Sequence, residues 1–389
     1  MAEAAIDRAE VTTLLSELVR IPSVNPRMGT GTGEGEVAHY LVERLRALGL
    51  TPAVTPIHPG RPNVLVTAAG RAGGRHLLLE AHTDTVPPST GQADPFNPRL
   101  EGGRLHGRGA CDTKASVAAM LAALQSVLPS AERTATVTLA LTMGEELGHE
   151  GALALVASGF RADGAVIGEP TGLDVVVAHK GAARFKIVAV GRSAHSSNPQ
   201  AGVNAIGKMA KVIRALDERI VPSLAQHRHP LVGVPTLSVG RIDGGLQVNI
   251  VPDRCTIEID RRLNPGEDWP AVRETLAALL RELGAEDPDL QVTLEEPYQH
   301  FGSMETSPDA PVVQAAREAV RRIDGEHPIR GVSYGTDAAE FSAAGIPCVV
   351  LGPGDIAQAH TVSEYVEVQQ VVKAAAIYRE MILRFRGGE

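Results

Sequence analysis

His76-Leu77-Leu78-Leu79-Glu80-Ala81-His82-Thr83-Asp84 joins a short apolar run to a polar end. A run of this length closed by turn residues is the pattern of a strand buried on both faces. Val64 to Val66, Thr136 to Thr142 and Ala165 to Ile167 share its style. Helical patterns lie around and between them. Val11, Leu14, Leu15 and Leu18 follow helical spacing before Pro22, and a second helix covers Val37 to Leu48 with Gly49 as its C-terminal cap. Val117, Met120, Leu121, Leu124 and Leu128 form one face of a third helix, stopped by Pro129. Strands alternating with helices predict an α/β fold with a mixed, mostly parallel sheet flanked by helices.

At 389 residues the chain exceeds what one hydrophobic core usually serves, so two domains are expected. The pattern changes near Gly181. A strand at Ala183 to Val190, a helix at Val203 to Ile220, strands at Thr236 to Ile242 and Cys255 to Arg261, a helix at Ala271 to Leu283 and a strand at Leu290 to Leu294 follow in turn. That β-α-β-β-α-β order is the ferredoxin-like α+β arrangement, which assigns 181–295 to an inserted domain. Residues 1–180 form the first part of the other domain. Residues 296–389 complete it with a helix at Val312 to Ile323, a strand at Ile346 to Leu351 and an amphipathic C-terminal helix.

Several function classes drop out on composition. With 43% hydrophobic and 21% charged residues the chain is an ordinary globular protein. Lys and Arg total 37 against 46 Asp and Glu, a net charge of −9, and no basic run interleaves with aromatics, so no nucleic-acid partner is expected. No apolar stretch reaches membrane-spanning length, and Met1 to Glu10 lacks the core of a secretory signal. Cys111, Cys255 and Cys348 are far apart and odd in number, which fits a reducing compartment. A cytoplasmic location is expected.

The chemistry sits at strand ends, where open α/β sheets bind their ligands. His76 to Ala81 runs into His82 and Asp84. Thr136 to Thr142 runs into Glu145 and Glu146, Ala165 to Ile167 into Glu169, and Ile346 to Leu351 leads through a glycine-rich loop to His360. Asp112 lies in a tight turn, Gly107-Arg108-Gly109-Ala110-Cys111-Asp112-Thr113-Lys114, that opens a helix. By itself Asp112 reads equally well as a helix cap. His82 with Asp84 reads alone as a satisfied strand-end pair, and Glu145 with Glu146 as a solvated surface. Together they form a metal-type set in which Asp84 orients His82, and of the diverging pair Glu145 and Glu146 one can bind a metal while the other stays free to move a proton. Two histidines and three carboxylates suit Zn²⁺, with Mn²⁺ or Co²⁺ as alternatives. Five ligands exceed one tetrahedral ion, and a carboxylate bridging two ions roughly 3.5–4 Å apart absorbs the surplus.

Weaker signals carry less. Gly29-Thr30-Gly31-Thr32-Gly33-Glu34-Gly35 has no strand before it and no Lys after it, so it reads as a flexible loop rather than a phosphate cradle. His227-Arg228-His229-Pro230 reads as an exposed loop. There is no Gly-x-Ser-x-Gly elbow.

The chain resembles the acetylornithine deacetylase, succinyl-diaminopimelate desuccinylase and aminoacylase family of dinuclear zinc hydrolases, which includes carboxypeptidases and dipeptidases. The resemblance is carried by Ala81 to Pro87, Gly107 to Lys114, Thr142-Met143-Gly144-Glu145-Glu146, Ile167-Gly168-Glu169-Pro170-Thr171 and Ala359-His360. It implies a zinc-exopeptidase-like catalytic domain in which Asp112 bridges two divalent metal ions, His82 and Glu169 hold one, Glu146 and His360 hold the other, and Glu145 is the general base. It implies that the inserted domain makes a homodimer and supplies His195 to stabilise the oxyanion, and that Asn249 and Arg262 bind substrate. Tyr334-Gly335-Thr336-Asp337-Ala338 and Gly352-Pro353-Gly354 look more like acetylornithine deacetylases; the desuccinylases carry Ser where this chain has Thr336. The implied activity is cleavage of an N-acyl amino acid, with desuccinylase, dipeptidase or carboxypeptidase as alternatives within the family. A binding protein with a degenerate metal site is the non-enzyme alternative, and it would have little reason to keep Glu145 beside a full ligand set.

Overall fold

The structure, a computed structural model, describes residues 6–70, 74–128 and 134–386. Met1 to Ala5, and Pro129 as a helix stop, lie outside the described residues. The chain divides into two compact units: Met1–Val177 with Glu305–Arg330 and Thr336–Glu389, and Ala178–Met304 with Gly331–Gly335. The second reaches past the expected boundary at 295 because Gln299–Phe301 adds a strand to Gly181–Val190.

The first unit is built on a nine-stranded sheet. Its centre is parallel: Thr136–Thr142 and Gly164–Ile167 flank His76–His82, and Cys348–Val350 lies beside Gly164–Ile167. Their residues are buried on both faces. Leu77, Leu78, Leu79, Val137, Leu139, Val166 and Val349 are all inaccessible to solvent, each worth roughly 1.5–3 kcal/mol of burial. The outer strands run antiparallel, with Ala53–His58 on Arg61–Ala68, Arg61–Ala68 on Thr136–Thr142, and Val175–His179 on Cys348–Val350.

Lys114–Val127 is an alanine- and leucine-rich helix buried almost all round. It packs against the C-terminal helix Val368–Arg384 and the first helix Arg8–Arg20. Its N-cap residue is Thr113, and no side chain caps it. Asp112 is therefore not spent on capping. The glycine-rich segment after residue 28 is tied down: Gly33 N–H donates to Val24 O at 3.1 Å, and the buried Glu34 accepts two hydrogen bonds from Arg61 at 2.6 and 2.7 Å. A Cβ on Gly31 would stand 2.1 Å from Val24 O, so only glycine fits there.

The second unit has a five-stranded antiparallel sheet in the order Thr236–Gly244, Arg254–Leu263, Gly181–Val190, Gln291–Leu294, with Gln299–Phe301 also on Gly181–Val190. Strands, helix Ala205–Ala215 and helix Trp269–Glu286 follow the β-α-β-β-α-β order around one core of Phe185, Ile187, Met209, Val212, Ile257 and Leu280. The single helix expected up to Ile220 ends at Ala215 and continues as a π-helical turn, Leu216–Ile220.

Candidate metal centre

Parallel register brings the site together. His82 and Thr142 are partners at the ends of adjacent strands, so the turn after Thr142 starts beside His82. Gly144 is left-handed (φ 81) and Glu145–Leu147 is a single 3-10 turn. That turn is held by Asp84, which is fully buried. Its Oδ1 accepts from the N–H groups of Gly144 and Glu145, both at 3.0 Å, and its Oδ2 from Glu146 N–H at 3.2 Å and Asn25 Nδ2 at 2.8 Å. His82 Nδ1 lies 3.0 Å from the backbone oxygen of Asp84 and 3.4 Å from its carboxylate. Nδ1 therefore carries a proton, and with a metal bound Nε2 would offer its lone pair. Asp84 thus orients His82 mainly through its carbonyl, while its carboxylate organises the glutamate turn.

The donors fall into two groups that share Asp112. His82, Asp112 and Glu169 form one; Asp112, Glu146 and His360 form the other. His82 Nε2 stands 3.1 Å from Asp112 Oδ1 and 3.7 Å from Glu169 Oε1. His360 Nε2 stands 3.4 Å from Asp112 Oδ2 and 3.1 Å from Glu146 Oε2. Glu145 belongs to neither group, with Oε2 3.9 Å from His82 Nε2. His360 is the exposed member, its side chain 54% accessible.

Electrostatics shows what the cluster lacks. Burial, followed by the charge of Glu169, pushes Glu145 well above the usual carboxylate range. Burial and the charge of Asp112 lift Glu146 to about 7. Glu169 is likewise raised well above its usual value by burial, against the pull of His82. For Asp112 burial also acts upward, but hydrogen bonds from His360 and His82 outweigh it and hold its carboxyl low. A buried set of carboxylates this short of positive charge, with imidazole nitrogens aimed into it, fits divalent cations. Nitrogen and oxygen donors mixed in each group suit a zinc-type ion.

Two buried groups that the sequence reading passed over support the centre. Glu364 accepts from the backbone N–H groups of Gly109 at 3.1 Å, Cys111 at 2.9 Å and Asp112 at 3.1 Å, and pairs with the buried Arg108. His149 lies beside Glu145, with Asp337 and Glu340 behind it. Glu364 is four residues beyond His360 and His149 four beyond Glu145, a spacing that was visible but had no chemical signature of its own.

Residues 78–384 match the family model described as peptidase family M20/M25/M40. The chain belongs to that family. A relative from Myxococcus xanthus named acetylornithine deacetylase is 33% identical over 330 residues, 84% of each chain. Among solved structures, aminopeptidase PepT from Bacillus cereus superposes with a TM-score of 0.80 at 24% identity, covering 97% of this chain and 98% of that one. A dinuclear metal-binding peptidase of the M20 family from Bacillus subtilis gives 0.74 at 18% identity, covering 97% of each chain. These two likenesses carry the fold, a mixed α/β sheet flanked by helices. As a family member the chain is a metal-dependent amide hydrolase, and its donor set has places for two ions.

The remaining expected residues lie in the second unit. His195 is exposed, with Nδ1 2.8 Å from Ser197 Oγ, and its backbone bridges to Ile250. Asn249 is its neighbour through the bond from Ser196 N–H to Asn249 O at 3.1 Å. Arg262 is half-buried on the strand Arg254–Leu263, its Nε donating to Asp260 at 2.9 Å. Among the described residues no helix is long and apolar enough to cross a membrane.

Proposed function

We propose that the chain is an acetylornithine deacetylase-like deacylase of N-acyl amino acids, acting in the cytoplasm as a homodimer with two Zn²⁺ ions. The observation that carries the hydrolytic reading is Glu145, a carboxylate beside two complete donor groups yet part of neither. The acetyl-amino-acid reading rests on the name of the Myxococcus relative and on Thr336.

His82, Asp112 and Glu169 would hold one ion and Glu146, Asp112 and His360 the other. Bound there, the ions supply polarisation of the amide carbonyl and a lowered pKa for water. The chain's own residues do the rest. Glu145 accepts the proton of the attacking water and returns it to the leaving amine, acting as base and then as acid. Asp84 keeps His82 in the tautomer that offers Nε2. His195, given by a second copy of the chain, donates to the developing oxyanion. Asn249 and Arg262 bind the substrate, the guanidinium forking onto its carboxylate. The dimer is supported by the exposed edge strand Thr236–Gly244 and by Leu246 and Val248, which are 83% and 100% exposed.

The test is hydrolysis of N-acetylornithine, N-succinyl-diaminopimelate and a dipeptide panel, with chelator and with added Zn²⁺, Co²⁺ or Mn²⁺. N-acetylornithine should be fastest. A peptide preferred over it would favour the second reading, a peptidase, for which the PepT likeness speaks. Activity recovered by mixing inactive His195→Ala with inactive Glu145→Gln chains is the outcome expected of a dimer that shares His195.

A further inference from the structure

The segment Gly144 to His149 is a closed loop. Gly144 O accepts from His149 N–H at 3.0 Å, and both residues are left-handed, His149 at φ 57. His149 is the N-cap of the helix Glu150–Ala157, and at this angle its side chain faces back toward Glu145. His149 Nε2 stands 3.8 Å from Glu145 Oε1, an ion-pair distance too long for a direct hydrogen bond. The far side of the ring is held. Nδ1 lies 3.2 Å from Glu340 Oε1 and 3.6 Å from Asp337 Oδ1.

The surroundings give the ring a preferred state. His149 is 4% exposed and Asp337 fully buried. Among the described residues no hydrogen bond reaches Asp337 Oδ1, and the imidazole stands 3.6 Å from it. Behind it Thr142 Oγ1 lies 3.4 Å from Asp337 Oδ2 and donates to the buried Glu80. Burial acts to lower the His149 pKa, but Glu340 and Asp337 outweigh it and raise it above its usual value. Glu145, His149 and Asp337 also satisfy the spacing of a metal group. The ring, however, turns Nε2 to Glu145 and Nδ1 to both Glu340 and Asp337, which places it as a link between acids rather than as one donor beside a shared metal position.

We propose that His149 is a positioning residue for Glu145: clamped by Glu340 and Asp337, its imidazole fixes the direction in which the Glu145 carboxylate points. The proposal rests on the reading of Glu145 as the base. A left-handed backbone tolerates Gly and Asn, so His149→Gly removes the ring without straining the turn and leaves a space the size of imidazole.

The experiment measures kcat, KM and metal content of His149→Gly, Glu145→Gln and the double variant, on whichever of N-acetylornithine, N-succinyl-diaminopimelate or the dipeptides the parent enzyme cleaves fastest. For His149→Gly, kcat should fall about 10- to 100-fold, with KM within about twofold and both metals retained as in the parent. Added imidazole should restore part of the loss while the parent gains nothing from it. The double variant should be no slower than Glu145→Gln. If His149→Gly does not fold, Glu340→Gln, which withdraws one clamp, should show the same pattern with a smaller fall in kcat. Unchanged kcat, a loss carried by KM or metal content, or a double variant slower than Glu145→Gln would overturn the proposal. An active Glu145→Gln would instead overturn the reading of the base, which separates the two failures.

Discussion

Glu364→Gln is the sharpest test of how the centre is held. Glu364 is buried, and one of its oxygens serves Cys111 and Asp112 while the other serves Gly109 and Arg108. The amide keeps one acceptor and replaces the other with an NH₂ group that faces an N–H donor and a guanidinium. Breaking a buried ion pair from one side costs about 3–5 kcal/mol, because the partner charge is left uncompensated. The orphaned Gly109 N–H falls within that range rather than adding fully to it, since the two losses share an atom. At about 2 °C per kcal/mol for a unit of this size, the melting transition should fall by roughly 6–10 °C. Loss of the Arg108 pair also loosens the side chain that holds the backbone of Asp112, so both proposed metal positions should weaken, visible as faster loss of metal to a chelator. Glu367→Gln is the control, since Glu367 makes a 2.6 Å pair with Arg104 in which both side chains are well exposed, and such pairs contribute about 0–1 kcal/mol. Differential scanning fluorimetry and chelator competition on the two variants decide the matter. A Glu364→Gln protein that melts within about 2 °C of the parent, or no lower than Glu367→Gln, would show that the Glu364–Arg108 pair does not hold the centre together.

Glu145→Gln should lower kcat by about 10²–10⁴-fold while elemental analysis still finds the parent's metal content; a lost metal would place Glu145 among the ligands. Stripping metal with a chelator should abolish turnover and lower the melting temperature, since an ion present at a thousandfold excess over its Kd adds about 4 kcal/mol to the folded state; an unchanged melting curve would mean that the donor groups bind nothing. The half-buried His76, bonded to Thr138 Oγ1 at 2.8 Å, has its pKa lowered from 6.5 by burial, against the charge of Asp163. The unfolded chain therefore takes up the proton first as pH falls, and stability present above about pH 6.5 is lost below it. Melting temperatures of His76→Gln between pH 7 and 5 should fall less steeply than those of the parent, and parallel curves would contradict this sign.

His82, Glu145, Glu146 and Glu169 could be singled out because each stands just beyond a buried run, whereas Asp112 sits in a turn and His360 beyond a loop. Leu77 to Ala81 must be a strand whatever surrounds it, so His82 must stand at an end. The same logic reached Glu145, Glu146 and Glu169. It could not reach Glu364 or His149, whose parts depend on chain closure: Glu364 meets residue 109 across more than two hundred residues, and His149 meets Glu340 only through tertiary packing. The mixed character of the sheet was only partly visible. Ala53–His58 is exposed along nearly its whole length, with no buried face to imprint alternation, and Val175–His179 is buried throughout, which carries no sign of direction. The break of the helix at Ala215 was hidden too, because the residues of the π turn keep helical propensity.

Charge gives a reason for two ions rather than one. Asp112, Glu145, Glu146 and Glu169 carry four negative charges when ionised, and His82 and His360 are neutral when their nitrogens face a metal. Two divalent ions match those four charges; a single ion leaves two carboxylates uncompensated in a buried place, and burial would keep them protonated. Glu145 is the one most exposed to that outcome, because it belongs to neither of the two groups that share Asp112. A protonated Glu145 cannot accept a proton. A second ion held by Glu146, Asp112 and His360 would add positive charge beside Glu145 and so favour the ionised form of the proposed base. Half-loaded protein should then be nearly inactive even if the substrate still binds, and the shared position of Asp112 is what makes the two ions act as a pair.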